Sequence, residues 1–345
     1  MPAQADPDLA LRLAQAVADL YGSATEQLLR IVAGRLARGI ESPGWAEAKL
    51  AEVTGLRNEA RRVVEALQVA APDVVQAAIE GGWEAGIRAA QADVTGTLTP
   101  RTNNAAVRRL VDETVTQLAD AHTQILRSTV DMYRQVIAQA SALPVSGAGT
   151  RRQAAQQAFD RLVDQGLTGF IDKQGRRWGL DTYTEMATRT ATGRAQVAGT
   201  LDRFQADGRD LVIVSDAPQE CKACRPWEGR VLSISGADPK YPSLQAAQRA
   251  GLLHANCRHR LGAYIPGVTK RLTDTADPEG DRLRREQRRL ERGVRQWKQR
   301  AAAALDDDTR RQHERRARDW QARLREHVTA NDLKRLPQRE RLGAR

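Results

Sequence analysis

Apolar residues along the first 140 positions recur every three or four residues, the period of amphipathic helices. Between residues 9 and 40, Leu13, Val17, Leu20, Leu28, Ile31 and Leu36 mark one such face, with Gly22 as the point where it can break. Ser42-Pro43-Gly44 interrupts the pattern and suits the start of a second helix, from 45 to about 70. Pro72-Asp73 then opens a third, carrying Val75, Ile79, Trp83 and Ile87. Residues 95–104, rich in Thr, Asn, Gly and Pro, predict a loop. A long helix is expected from about 105 to 140, with Val107, Leu118, Ile125, Val130, Tyr133 and Ile137 in its stripe. Residues 141–149 read as a linker. His122, the only histidine before position 250, reads as part of a helix face.

The pattern changes after 150. A short helix at 151–165 leads to two short apolar pieces around Asp172-Lys173-Gln174-Gly175, which predict a β-hairpin. Asp181 is placed to cap a helix carrying Tyr183, Met186, Ala187, Val197 and Leu201. Leu211-Val-Ile-Val214 is the strongest strand pattern, and 230–235 a second. A short helix at 243–250 ends at Gly251. Beyond Pro266-Gly267, helices are expected at 281–305 and 308–330, joined through Asp306-Asp307-Asp308-Thr309. Leu290, Val294 and Trp297 on one and Trp320, Leu324 and Val328 on the other make the narrow apolar seam of a helical hairpin. The expected fold is mainly α: a helical N-terminal region (1–148), a small α+β domain of zinc-knuckle type (150–272), and a basic helical hairpin and tail (281–345).

Composition supports the helical reading. Only 4% of the 345 residues are aromatic, so the core must be built from Ala, Leu and Val, which favours helices over sheets. The formal charge is +11, but residues 281–345 hold 21 Lys+Arg against 11 Asp+Glu, leaving +1 for residues 1–280. Only seven of the 54 basic residues are Lys, a bias that a GC-rich genome explains as well as guanidinium chemistry does. No apolar run approaches the roughly 20 residues of a membrane helix, so no membrane association is expected. The first six residues lack the basic flank and apolar core of a signal peptide. Three cysteines are too few for a secreted disulfide scaffold and fit synthesis in a reducing cytosol.

Those three cysteines and two of the five histidines cluster as Cys221-x-x-Cys224 and His254-x-x-Cys257-x-His259. Thiolate sulfur and imidazole nitrogen on two short knuckles are what a tetrahedral zinc ion takes at a structural site. Cys257 and His259 face the same way on an extended segment; His254 joins instead if a turn curls residues 254–257. The ligand set is therefore Cys221, Cys224 and Cys257, with His259 or His254 as the fourth. A redox role for the Cys pair lacks the βαβ context it needs. A metal-dependent nuclease or hydrolase would have to use Glu228, the only nearby carboxylate placed like a general base, with His254, Cys257 and His259. No Ser-His-Asp set, Walker loop or GxGxxG accompanies them, and no catalytic residues are assigned.

Residues 168–300 resemble the phage minor capsid protein 2 family, related to the Mu F-like head-morphogenesis proteins. The resemblance is carried by Phe170-Ile-Asp-x-x-Gly175-Arg-x-Trp178, Tyr183-x-Glu-Met186-x-x-Arg189-Thr190, Asp210-Leu-Val and Cys221-x-x-Cys224-x-Pro-Trp-Glu-Gly229. It continues through Ser233-Ile-Ser-Gly236, Tyr241-Pro242, Gly251-Leu-x-His-x-Asn-Cys-Arg-His259, Gln287-Arg-x-Leu-Glu-Arg292 and Arg295-x-Trp297-Lys298. Relatives often end the cysteine motif in Cys-Arg-Cys where this chain has Cys257-Arg258-His259. The resemblance implies a non-enzymatic structural protein of the virion, synthesised in the host cytoplasm. It would be oligomeric near the portal vertex, act in head assembly and DNA packaging or ejection, and have portal protein, other head proteins and packaged DNA as neighbours. A second reading is nucleic-acid binding through Arg284, Arg285, Arg288, Arg289, Arg315, Arg316 and Arg318, set against a solvated helix face with interspersed acids.

Overall fold

A computed structural model describes residues 8–93, 104–142, 149–166, 170–171, 177–217, 220–273 and 275–343. The described helices are α1 (Leu9–Leu13), α2 (Gln15–Ala37), α3 (Trp45–Ala51), α4 (Val53–Asp93), α5 (Asn104–Ala142), α6 (Arg151–Asp164), α7 (Leu180–Ala206), α8 (Leu244–Arg249), α9 (Pro278–Ala302) and α10 (Asp307–Ala330). The strands are β1 (Phe170–Ile171), β2 (Arg177–Trp178), β3 (Leu211–Val214), β4 (Val231–Ser233) and β5 (Leu261–Ala263). The fold is thus mainly α with a small α+β part, as the sequence pattern implies. Among the described residues no helix is long and apolar enough to cross a membrane. The loop expected at 95–104, save Asn104, most of the linker at 141–149 and the hairpin turn at 172–175 lie outside the described residues.

Packing sorts the chain into two compact units, each assembled from three stretches. The first draws on Met1–Gln15, Pro72–Val115 and Glu185–Arg285, the second on Ala16–Ala71, Thr116–Thr184 and Glu286–Arg345. Pro72 therefore means something other than its sequence context suggests. It does not open a third helix: it lies inside the 41-residue α4, at the point where that helix passes from the second unit to the first. Its ring removes one backbone hydrogen bond. The buried series Leu67, Ala71, Val75 and Ile79 continues at four-residue steps across it, and burial of such a stripe outweighs local propensity. The expected helix from 45 to about 70 is instead divided at Glu52, between α3 and α4. Likewise Gly22 does not interrupt α2. The break falls at Ala14, between α1 and α2, and the missing side chain makes room for the C-terminal segment: a Cβ on Gly22 would lie 1.3 Å from the Leu342 carbonyl oxygen. Asp181 is not the cap of α7, which already includes Leu180.

The second unit is a helical core of small and branched side chains around a few large ones. Leu29, Val32, Leu36, Trp45, Tyr133 and Phe159 are its centre. Trp45 Nε1 donates to the Leu36 carbonyl at 2.9 Å, so this buried indole has its polar atom satisfied. Tyr21 and His122 share a hydrogen bond of 2.8 Å and stack at 5.7 Å between centroids; burial lowers the His122 pKa, favouring the neutral ring. Thr150 and Gln153 form a capping box at the start of α6. Leu290, Leu324 and Val328, with Trp320, make the narrow seam between α9 and α10, and Asp306 caps α10 by accepting from Thr309 N at 2.8 Å.

In the first unit, α4 and α7 touch through their backbones. A Cβ on Gly86 would lie 2.0 Å from the Gln196 carbonyl oxygen, and one on Gly199 would lie 2.4 Å from that of Trp83. Thr200 Oγ1 reaches the Gly86 carbonyl at 3.1 Å. Beside this pair lies the antiparallel sheet β4-β3-β5, in which Val212 faces Leu232 on one side and Ala263 on the other. β5, three residues with Gly at its centre, is too short to show a strand period and has no counterpart in the sequence reading. Gly86→Ala is expected to lower stability by about 1–3 kcal/mol through overpacking. Gly34→Ala, with nothing within 4 Å of its Cβ, is expected to gain up to about 1 kcal/mol. Urea unfolding of the full chain measures both.

Candidate metal centre

Two backbone devices build the Cys/His cluster. After β3 the chain turns at Cys221–Cys224, where both Cys224 N and Arg225 N donate to the Cys221 carbonyl at 3.1 Å. Pro226 then sits in a short 3-10 turn that leads to Glu228. Gly229 follows in the left-handed region (φ 66°), and a Cβ there would lie 2.3 Å from the Leu272 carbonyl oxygen. The second knuckle follows α8, whose N-terminus is capped by Ser243. Leu253 and Asn256 take positive φ values of 57° and 65°, a cost non-glycine residues bear only where the surroundings impose it. Just past Asn256, Cys257 N donates to the His254 carbonyl at 3.0 Å. This is the turn that brings His254 beside Cys257, and the chain then extends to His259.

All five residues named from the sequence come together. Cys221, Cys224 and His254 form one triad of donor atoms and Cys224, Cys257 and His259 another, each with its atoms within 4.8 Å of one another. Cys224 Sγ and Cys257 Sγ are 3.5 Å apart, and Cys257 Sγ and His259 Nδ1 are 3.4 Å apart. A tetrahedral ion with sulfur ligands at about 2.3 Å separates two sulfurs by about 3.8 Å and a sulfur from an imidazole nitrogen by about 3.6 Å. The two edges of the inner triad, Cys224–Cys257–His259, that meet at Cys257 are thus close to those of such a tetrahedron. Cys221 Sγ and His254 Nε2, at 2.9 Å, stand at hydrogen-bonding distance instead. The cluster can hold a metal ion.

The electrostatics favour the thiolate at Cys257 and Cys221 and the thiol at Cys224. The Cys224 contact, opposed by burial and aided by His259, pulls the Cys257 pKa down to about 4. The same sulfur–sulfur contact, with burial, pushes Cys224 up, so the pair shares one proton. Burial alone would raise Cys221, but the bonds to His254 and Cys224 together outweigh it and the pKa falls. A bound cation would displace the remaining protons.

The sequence offered Glu228 as a possible base, and the fold gives it a different task. Its side chain is fully buried. Glu228 Oε1 accepts from His259 Nε2 at 2.6 Å and from Ala217 N at 3.1 Å. With Nε2 committed to the carboxylate, Nδ1 of His259 is the nitrogen turned to Cys257. This is the carboxylate–histidine arrangement that orients a metal ligand and raises its basicity. In His254, Nδ1 is 2.6 Å from the Ala255 carbonyl, leaving Nε2 for Cys221. His259 is buried and His254 exposed. Nothing in the spacing of Glu228 from His259, 31 positions apart, announced this bond.

The basic candidates separate into two kinds. Arg284 and Arg285 pair with Asp281, and Arg289 with Glu286, three or four residues earlier on α9. Arg289 also lies over the Trp320 ring at 5.5 Å; Arg288 is half-buried. Arg315, Arg316 and Arg318 are exposed on α10 and line one shallow surface with Gln312 and Asp319.

Fold and site together define a mainly helical protein with a small sheet and a Cys/His cluster able to hold a metal. A family model described as phage minor capsid protein 2 matches residues 6–329, and the chain belongs to that family. It is similar to a structural protein of Lactococcus phage LL-H, 30% identical over 218 residues, which are 59% of this chain and 59% of that protein. It is also similar to a structural protein of Lactococcus phage mv4, 33% identical over 117 residues, 31% of this chain and 95% of that one. The chain thus spans about three fifths of the first relative's length. No solved structure matches.

Glu228→Gln is expected to weaken Zn²⁺ or Co²⁺ binding about 10–100-fold while leaving the fold intact. Competition with a chromophoric chelator measures the change; unaltered affinity would remove Glu228 from the support of the site.

Proposed function

We propose that the protein is a structural component of the phage head, sited near the portal vertex and acting in head assembly and in packaging or ejection of DNA. The observation that carries this reading is the family match over residues 6–329. The two relatives named structural proteins support it. In this proposal the chain is made in the host cytoplasm, becomes part of the virion as an oligomer, and has portal protein, other head proteins and packaged DNA as neighbours. Copurification with portal protein or proheads tests it. A chain that stays monomeric and enters neither would defeat it.

The Cys/His cluster is proposed as a structural zinc site with Cys221, Cys224, Cys257 and His259 as ligands. Zinc would tie the β3–β4 connection to the segment after α8, where short strands bury little apolar surface. Support comes from the two near-tetrahedral edges that meet at Cys257 and the Glu228 bond to His259. Metal analysis is expected to give one zinc per chain. Chelation is expected to raise hydrogen exchange in β3, β4 and β5, and Cys224→Ser to abolish uptake; retention of zinc in that variant would overturn the assignment.

DNA contact through the basic C-terminal helices is a compatible second reading, and the exposure of Arg315, Arg316 and Arg318 favours α10 over the paired arginines of α9. Replacing all three by Ala is expected to reduce the slope of log affinity against log salt by about 2–3. An unchanged slope would remove α10 as the contact.

A further inference from the structure

After α10 the chain reverses and returns along its own hairpin to α2, all within the second unit. The reversal is a Schellman turn: Leu333 N donates to the Val328 carbonyl at 2.9 Å and Asp332 N to that of Thr329 at 3.5 Å. The residue in the left-handed region is Asp332 (φ 49°), where such turns usually carry Gly. Residues 333–343 then form a strap. On α9, Gln287 Nε2 donates to the Lys334 carbonyl at 2.9 Å and Lys298 Nζ to the Glu340 carbonyl at 2.6 Å. On α10, Gln321 Nε2 donates to Glu340 Oε2 at 3.1 Å. The strap reaches α2 where Arg341 pairs with Asp19 at 2.8 Å and the Leu342 carbonyl takes the place of a Gly22 side chain.

Three properties make the strap a separable piece. It holds its own shape: Arg335 Nε and Nη2 each reach the Glu340 carboxylate at 2.7 Å, across a short 3-10 turn that begins at Pro337. Its apolar anchorage is small, with Leu342 buried but Leu333 and Leu336 only half-buried, so release exposes little hydrocarbon. The receiving atoms belong to α2, α9 and α10, so a strap from another copy meets the same partners. What keeps the strap on its own chain is the turn at Asn331-Asp332, short and with a non-glycine residue in the left-handed region. Short hinges under strain favour exchange of the following segment between copies.

We propose that the strap is exchanged: residues 333–343 of one chain dock on α2, α9 and α10 of a second copy. This names a surface for the oligomer of the preceding reading and rests on that reading. Two chains that swap straps remake every tie between them. They give up the two hydrogen bonds of each turn, offset in part by relief of the backbone at Asp332.

Complementary charge reversal tests the exchange in the full-length protein. Asp19→Arg sets two cations together within its own chain, and Arg341→Asp two anions. Mixing the two variants restores the opposite-charge pair only between chains. After prolonged incubation, native mass spectrometry is expected to show heterodimer about fivefold or more above the dimer of either variant alone. Asp332→Gly relaxes the turn in place and is expected to lower the parent's dimer fraction, read by sedimentation, about threefold or more. The proposal is overturned if the parent stays monomeric at the highest concentration reached, if mixing gives no excess of heterodimer, or if Asp332→Gly dimerises like the parent. A monomer that still enters proheads leaves the head reading standing. A strap-linked dimer that enters none leaves the exchange standing.

Discussion

The segment from β3 to β5 has little apolar area with which to hold itself together. Its strands are three or four residues long, and the chain has only three Phe. Directed polar bonds therefore add to the small apolar cluster of Val212, Val214, Leu232, Leu244 and Leu261. The bond between Glu228 and His259, at 2.6 Å and fully enclosed, is the central one. It fixes which imidazole nitrogen faces the sulfurs and joins the Cys221–Glu228 connection to the second knuckle. The orientation of His259 toward Cys257 depends on that join.

The same economy explains the residues that carry the family resemblance. Asp210, just before β3, accepts from Ser233 Oγ at 2.6 Å and from Ser235 N at 2.7 Å, so two separated motif fragments form one polar tie. Burial alone would raise the Asp210 pKa, but these serines outweigh it and hold the carboxyl ionised. Arg189 and Asn256, again from different fragments, meet at 2.8 Å. Fragments that read as unrelated spellings in the sequence are the two halves of single interactions.

The helices teach a different lesson. Their periodicity was legible because a buried stripe has to repeat with the helix, and α5, α9 and α10 lie close to where the pattern put them. Punctuation was less legible. Pro72 and Gly22 are both helix breakers by local propensity, and both sit inside helices. At Pro72 the stripe continues across the missing bond; at Gly22 the absent Cβ admits the Leu342 backbone. Each is a tertiary use of a residue whose local preference points elsewhere.

By itself the sequence determined the helical class, the position of the strongest strand, the neutral body with its basic tail, and the donor set of the cluster. These follow from composition, period and residue chemistry, which act locally. The tertiary structure decided what needs partners far along the chain: that β5 exists, that Glu228 supports His259, that α4 and α7 meet through glycines, and which arginines are already paired. A side chain's chemistry is written at its own position, but its burial and its partner are properties of the surface that covers it, and that surface comes from elsewhere in the chain.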